Sequence, residues 1–169
     1  IKRPRNISLD NSSSEQGWKH AIKEIEKETG NKIDFVVGIQ PTSPIREPED
    51  IKKGIQKIIR TKSDSLFAAS PIKDFLIWEN SKNSILKPLN FNPKLKRRRQ
   101  ELEKQVIENG SFYIFKPKIL EKFKNVLSGS ITYQIMNFWK TFEIDEVEDI
   151  EFCELIMKNY LFDLIKKFK

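Results

Sequence analysis

The acidic run Phe142-Glu143-Ile144-Asp145-Glu146-Val147-Glu148-Asp149 carries the residue types best suited to chemistry. In an extended segment alternate side chains share a face, so Glu143 and Asp145 point one way while Phe142 and Ile144 point the other, toward a core. Two carboxylates held that close repel unless a cation or a proton lies between them, and hard oxygen donors favour Mg²⁺ or Mn²⁺. A plainer role fits the same spacing: Asp145 caps the helix that follows, and Glu146 and Glu148 sit favourably at its positive end. Taken alone, the run admits both.

Three other stretches hold candidate binding groups. Gln40-Pro41-Thr42-Ser43-Pro44-Ile45-Arg46 is a polar loop stiffened by two prolines directly after an apolar strand, which is where open α/β sheets bind ligands. Asp10-Asn11-Ser12-Ser13-Ser14 is a helix start whose hydroxyls and amides could also hold a nucleotide. Lys94-Leu95-Lys96-Arg97-Arg98-Arg99-Gln100 is the densest basic run; it reads as an anion clamp, a nucleic-acid patch or a solvated loop. Cys153 lies among Ile150, Phe152, Ile156 and Met157 and is expected to be a buried helix residue, while His20 is a lone histidine with little to recommend it for catalysis.

The elements that must position these groups follow from periodicity. Trp18, Ala21, Ile22 and Ile25 recur at helical spacing up to Gly30-Asn31, and residues 33–39 read as a buried strand. Glu47-Pro48-Glu49-Asp50 opens a second helix with Ile51, Ile55, Ile58 and Ile59 on its apolar face, and residues 65–69 form another strand. Phe75-Leu76-Ile77-Trp78 is a strand candidate ahead of a polar, hairpin-like 80–84. Asn109-Gly110 is a turn signal before an alternating strand over 111–115. A helix over 117–126, a strand over 131–136, the acidic strand and a long helix running from Val147 toward Phe168 complete the chain. Strands alternating with helices imply crossover units around a mostly parallel sheet, an α/β fold.

Length and composition set the frame. A chain of 169 residues makes one domain and buries roughly 70% of its unfolded surface. One cysteine excludes a disulfide framework and a Cys/His metal cluster, and suits a reducing cytoplasm. The excess of 31 Lys+Arg over 24 Asp+Glu, a net charge of +7, fits an anionic substrate, a nucleic acid or a soluble surface. No apolar run approaches the ~20 residues of a membrane span.

In this order and spacing the segments resemble the acylneuraminate cytidylyltransferase family, which makes CMP-sialic acids and CMP-activated relatives. The resemblance rests on Arg3-Pro4 with Asp10 and the serines, the Gln40 to Arg46 loop, Arg99-Gln100, Asn109-Gly110-Ser111-Phe112-Tyr113-Ile114, and Glu143-Ile144-Asp145 with Glu148-Asp149. It covers nearly the whole chain. It implies a nucleotidyltransferase α/β fold in which CTP and a nonulosonic acid meet, the anomeric hydroxyl attacks the α-phosphorus, pyrophosphate leaves and Mg²⁺ or Mn²⁺ offsets phosphate charge. Asp145 would be the principal metal ligand and a catalytic residue, with Glu143 its partner where many members have aspartate. Arg3, Ser13 and Ser14 would hold the nucleotide. Gln40, Thr42, Ser43, Asn109 and Tyr113 would face the sugar acid, and the second catalytic candidate, Arg99, would meet phosphate or the substrate carboxylate.

The resemblance further implies a homodimer, with residues 115–142 as the candidate contact, and neither a membrane nor a nucleic acid as partner. The chain departs from the family pattern at two places. The Gly-rich basic loop and first strand that open family members have no counterpart here, so the numbered chain is expected to be a truncated domain that does not turn over CTP. Ile107 stands where several members carry a polar or aromatic residue near the sugar, which leaves the particular acid open. Enzymes acting on the eight-carbon keto-deoxy-octulosonate resemble a different, acidic version of the Gln40 to Arg46 loop. The alternatives are a non-catalytic anion or nucleic-acid binding module using residues 94–99 and a degenerate paralogue kept for oligomerisation.

Overall fold

The computed structural model describes residues 1–72, 75–80, 85–95 and 105–161. Helix α1 (Ser14–Thr29) is followed by strand β1 (Val36–Ile39), helix α2 (Pro48–Thr61) and strand β2 (Ser65–Ile72). A small hairpin, β3 (Trp78–Asn80) with β4 (Leu86–Pro88), leads to the long strand β5 (Gln105–Phe115), helix α3 (Pro117–Phe123), strand β6 (Ile131–Ile135) and helix α4 (Val147–Ile156). The fold is α/β, as its sequence pattern predicts.

Among the described residues the main sheet has the order β1-β5-β2-β6. Strands β1 and β2 both pair antiparallel with β5, and β6 runs parallel to β2. Three strands therefore share one direction and β5 is inserted against them, so the sheet is mixed.

Alternation along β5 assigns the two faces. Phe112 and Ile114 join Ile58, Leu66, Ala68 and Met136 in a core that Ile51 and Ile55 of α2 cover. Phe115, one residue on, packs instead with Ile22 of α1, Leu120 of α3 and Val126, with Trp18 and Tyr113 beside them. Close approach is built into both layers. A Cβ on Gly38 would stand 2.6 Å from the Trp18 ring, and one on Gly54 would stand 3.0 Å from Ile114. A third cluster, of Ile45, Cys153, Ile156 and Leu161, ties the loop after β1 to α4. Cys153 is a buried helix residue, as expected.

Several local expectations are corrected. Asn109-Gly110 makes no hairpin turn: β5 runs through it, and residues 109–112 bulge opposite Ala68, because the flanking pairs are Phe67 with Tyr113 and Ala69 with Glu108. Gly110 has φ of 65°, a left-handed value that glycine adopts without strain. Residues 75–77 precede β3 rather than forming it. The Asn90 side chain accepts from Ile77 N and donates to Phe75 O, filling by a side chain what a ladder would have filled. Helix α3 stops at Phe123 because Lys124 takes a left-handed cap with φ of 54°. The acidic run is not a strand: a 3₁₀ turn (Phe138–Thr141) leads into an extended stretch, and Ile144 N bonds to Thr42 O at 2.7 Å. After α4 a π-helical turn (Met157–Leu161) continues the chain; the remainder of the expected long helix lies outside the described residues.

Candidate functional site

Three sequence blocks meet at one end of the sheet. The loop after β1 places the buried Ser43 so that its Oγ donates to Glu143 Oε2 at 3.1 Å. Gly110 in the β5 bulge lies against both: a Cβ there would be 2.9 Å from Glu143 Oε2 and 3.3 Å from Ser43 Oγ. The bulge thus makes room for a carboxylate that a regular strand carrying side chains would exclude.

Arg46 fixes the loop from within. Its Nη1 donates to Ser43 O at 2.5 Å and to Ser111 O at 3.0 Å, and its Nη2 donates to Gln40 O at 3.2 Å. A guanidinium among carbonyls replaces the hydrogen bonds that an irregular loop lacks. Burial lowers its pKa. Of the predicted sugar-facing groups, Gln40 is half-buried and Thr42 exposed, whereas Asn109 is buried and already engaged. The Asn109 amide donates to Ser70 Oγ at 3.1 Å and its oxygen accepts from Ser111 N at 3.3 Å.

The nucleotide candidates lie at the start of α1. Arg3 Nη2 donates to Ser13 O at 3.0 Å, and the guanidinium rests over Gly17. A cleft of about 360 Å³ joins Arg3, Ser14 and His20 to Gln40, so the amino-terminal block and the loop after β1 line one space. A neighbouring cleft of about 370 Å³ shares Ser14, Trp18 and Gln40 and adds Glu15, Glu108 and Tyr113. Tyr113 donates a short hydrogen bond to Glu108. Burial, then the Glu108 carboxylate, raises the pKa of its phenol, which stays protonated as a donor.

Asp145 is exposed, beside the start of α4. It does not cap that helix. Glu146 is the cap residue, in a capping box with Asp149, whose Oδ2 accepts from Glu146 N at 2.8 Å and Asp145 N at 3.0 Å. These amide bonds lower the Asp149 pKa. Asp145 is thus left exposed, two residues beyond Glu143. Among the described residues, no group of three or more His, Cys, Asp or Glu side chains assembles to hold a metal ion. Two hard carboxylates still suit Mg²⁺, which takes one or two from protein and the rest of its shell from water and substrate phosphate. Arg99 lies outside the described residues, as do residues 96–98 of the basic run.

Sequence reasoning missed Lys140. Only 2% of its side chain is exposed, and Nζ lies 2.5 Å from both Glu47 Oε2 and Asp50 Oδ2. Its partners are some ninety residues earlier in the chain, so no local pattern announces the pairing. Glu108 was also missed as the partner of Tyr113; both lie on β5, on either side of the bulge that brings them together.

No family model matches the chain. Curated relatives do. It is 30% identical over 146 residues to N-acylneuraminate cytidylyltransferase A of Danio rerio, covering 85% of this chain and 33% of that protein. It is 30% identical over 123 residues to N-acylneuraminate cytidylyltransferase of Oncorhynchus mykiss, 72% of this chain and 27% of the relative. It is 26% identical over 162 residues to pseudaminic acid cytidylyltransferase of Campylobacter jejuni, 92% of this chain and 67% of the relative. The chain thus spans about a third of the fish proteins and about two thirds of the bacterial one. Over these matched residues, with its blocks converging at the carboxyl end of β1, the chain is similar to cytidylyltransferases of acylneuraminic and pseudaminic acid.

Proposed function

We propose that the protein containing these residues transfers CMP from CTP to the anomeric hydroxyl of a nonulosonic acid, with release of pyrophosphate. The convergence of the Gln40 to Arg46 loop, the Gly110 bulge and Glu143 supports this reading most strongly, because these are the blocks by which the chain resembles its relatives. The sugar's hydroxyl oxygen bonds to the α-phosphorus as the bridge to the β-phosphate breaks.

Asp145 and Glu143 would hold Mg²⁺ (or Mn²⁺), which when bound offsets the charge of the triphosphate. Arg3, Ser13 and Ser14 take the nucleotide. Gln40, Thr42 and Tyr113 present an amide, a hydroxyl and a phenol to the sugar acid. Ser43 and Asn109 serve that surface mainly by shaping it, since their polar atoms are already bonded within the protein. Arg99 contributes positive charge to phosphate or to the substrate carboxylate. Two copies pair through residues 115–142, where Phe123, Ile131, Tyr133, Ile135 and Phe138 are exposed. A reducing cytoplasm is the natural setting for its buried free thiol.

Ligand-dependent stability tests the reading on the full-length protein. CTP with Mg²⁺ raises the melting temperature and CTP with EDTA does not, an effect that Asp145→Ala removes. The result that contradicts it is stabilisation by oligonucleotides that is independent of Asp145 and weakens steeply with salt, the behaviour of a nucleic-acid module built on residues 94–99.

A further inference from the structure

Lys140 is a buried cation held between two carboxylates of a different element. It stands in the 3₁₀ turn Phe138–Thr141, immediately before Glu143 and Asp145, and reaches the amino terminus of α2. Glu47 and Asp50 are the two side chains of the α2 capping box, so they are already fixed by backbone N–H groups when Lys140 meets them. The ammonium also lies 5.3 Å from the centroid of the Trp139 ring.

The position of this clamp matters more than its strength. Glu47 directly follows Arg46, the residue that pins the loop after β1. Lys140 therefore joins the far end of that loop to the near end of the acidic stretch. Only after this junction do Ile144 N meet Thr42 O at 2.7 Å and Ser43 Oγ meet Glu143 at 3.1 Å. An extended stretch without a sheet ladder has few means of fixing its register. In some folds a buried ion pair specifies one arrangement where an apolar contact would slide, and that is the role inferred for this one.

We propose that Lys140 is a positioning residue: through Glu47 and Asp50 it sets where Glu143 and Asp145 stand relative to the Gln40 to Arg46 loop. It touches no substrate. The proposal rests on the proposed function for its catalytic consequence, while its structural consequence is independent of that function.

The test uses three forms of the full-length protein: wild type, Lys140→Met, and Lys140→Met combined with Glu47→Gln and Asp50→Asn. The single variant leaves two carboxylates without their cation and loses stability. The combined variant removes that charge imbalance, keeps oxygen acceptors for the capping box and regains the melting temperature. In both variants, hydrogen exchange at the Ile144 amide accelerates by about tenfold, the equivalent of losing one ordinary hydrogen bond, while the β5 core amide of Ile114 in the combined variant does not change. In both, the Mg²⁺ concentration for half-maximal pyrophosphate release rises and kcat falls by about 100-fold, the effect of a group misplaced by an ångström, with KM for CTP little altered.

If the combined variant recovers Ile144 protection together with stability, Lys140 only neutralises charge and the proposal is overturned. Unchanged Mg²⁺ dependence and kcat in a transferring protein overturn it equally. If wild type transfers no CMP, the functional reading fails instead, and the exchange at Ile144 alone decides whether Lys140 positions the acidic stretch.

Discussion

Gly110→Ala probes the contact on which the candidate site turns. The backbone there has φ of 65°, and a left-handed conformation costs an alanine about 1–2 kcal/mol relative to glycine. The new methyl would stand 2.9 Å from Glu143 Oε2 and 3.3 Å from Ser43 Oγ. The nearer atom is the far end of a flexible side chain, so Glu143 swings away and gives up its bond to Ser43, at about 1 kcal/mol. The expected loss is therefore about 2–3 kcal/mol in total, a fall in melting temperature of about 4–12 °C for a chain of this size. Gly30→Ala supplies the control. Its φ is 70°, yet a Cβ there meets nothing within 4 Å, so it registers the backbone term alone. Urea titrations of both variants, with and without Glu143→Ala, then isolate the contact. Glu143→Ala should relieve part of the Gly110→Ala penalty and none of the Gly30→Ala penalty. Equal losses at the two glycines, or full additivity with Glu143→Ala, would refute the convergence of bulge, loop and carboxylate.

Other outcomes follow from the same packing. Gly38→Ala would drive a methyl to 2.6 Å from the Trp18 ring and should cost about 1–3 kcal/mol by overpacking, read as a lower urea midpoint that Trp18→Phe partly restores. No restoration would place the cost elsewhere. The Lys116 ammonium, then the Ser130 backbone N–H and hydroxyl, hold the Asp64 carboxyl well below the usual carboxylate range. A depressed folded pKa contributes stability that is complete above the unfolded value of about 4 and fades as pH falls below it. Asp64→Asn should thus lower the urea midpoint at pH 7 and flatten its decline between pH 5 and pH 2.5. An acid limb as steep as wild type would contradict the role given to Asp64.

Much of the α/β order was legible because periodicity reports burial. Ile58 and Leu66, wholly buried, sit where helical and strand patterns place apolar side chains. The β5 bulge was not legible, because Asn-Gly is equally the signature of a tight turn, and only the pairing of β2 with β5 on both sides of it carries the strand through. The acidic run misled for a related reason. Its alternation held only in part: Ile144 packs toward Ile45 and Cys153, but Phe142 is exposed and Glu143 turns in to the buried Ser43, and alternation cannot say whether a neighbour exists to form a ladder. The cap was misassigned by one residue: Asp145 was the candidate, and the Glu146 to Asp149 spacing made the box. Lys140 was invisible because its counter-charges come from α2, and a buried ion pair across ninety residues leaves no local trace.

The central claim is that Asp145 and Glu143 serve CMP transfer to a nonulosonic acid. It is tested most directly by pyrophosphate release from CTP by the full-length protein, with Mg²⁺ and a panel of nonulosonic acids, for wild type and Asp145→Ala. The account predicts release only when an acceptor acid is present, with CMP found on its anomeric oxygen, and loss of release in a variant that still folds. Release without any acceptor acid, or full turnover by Asp145→Ala, would contradict it.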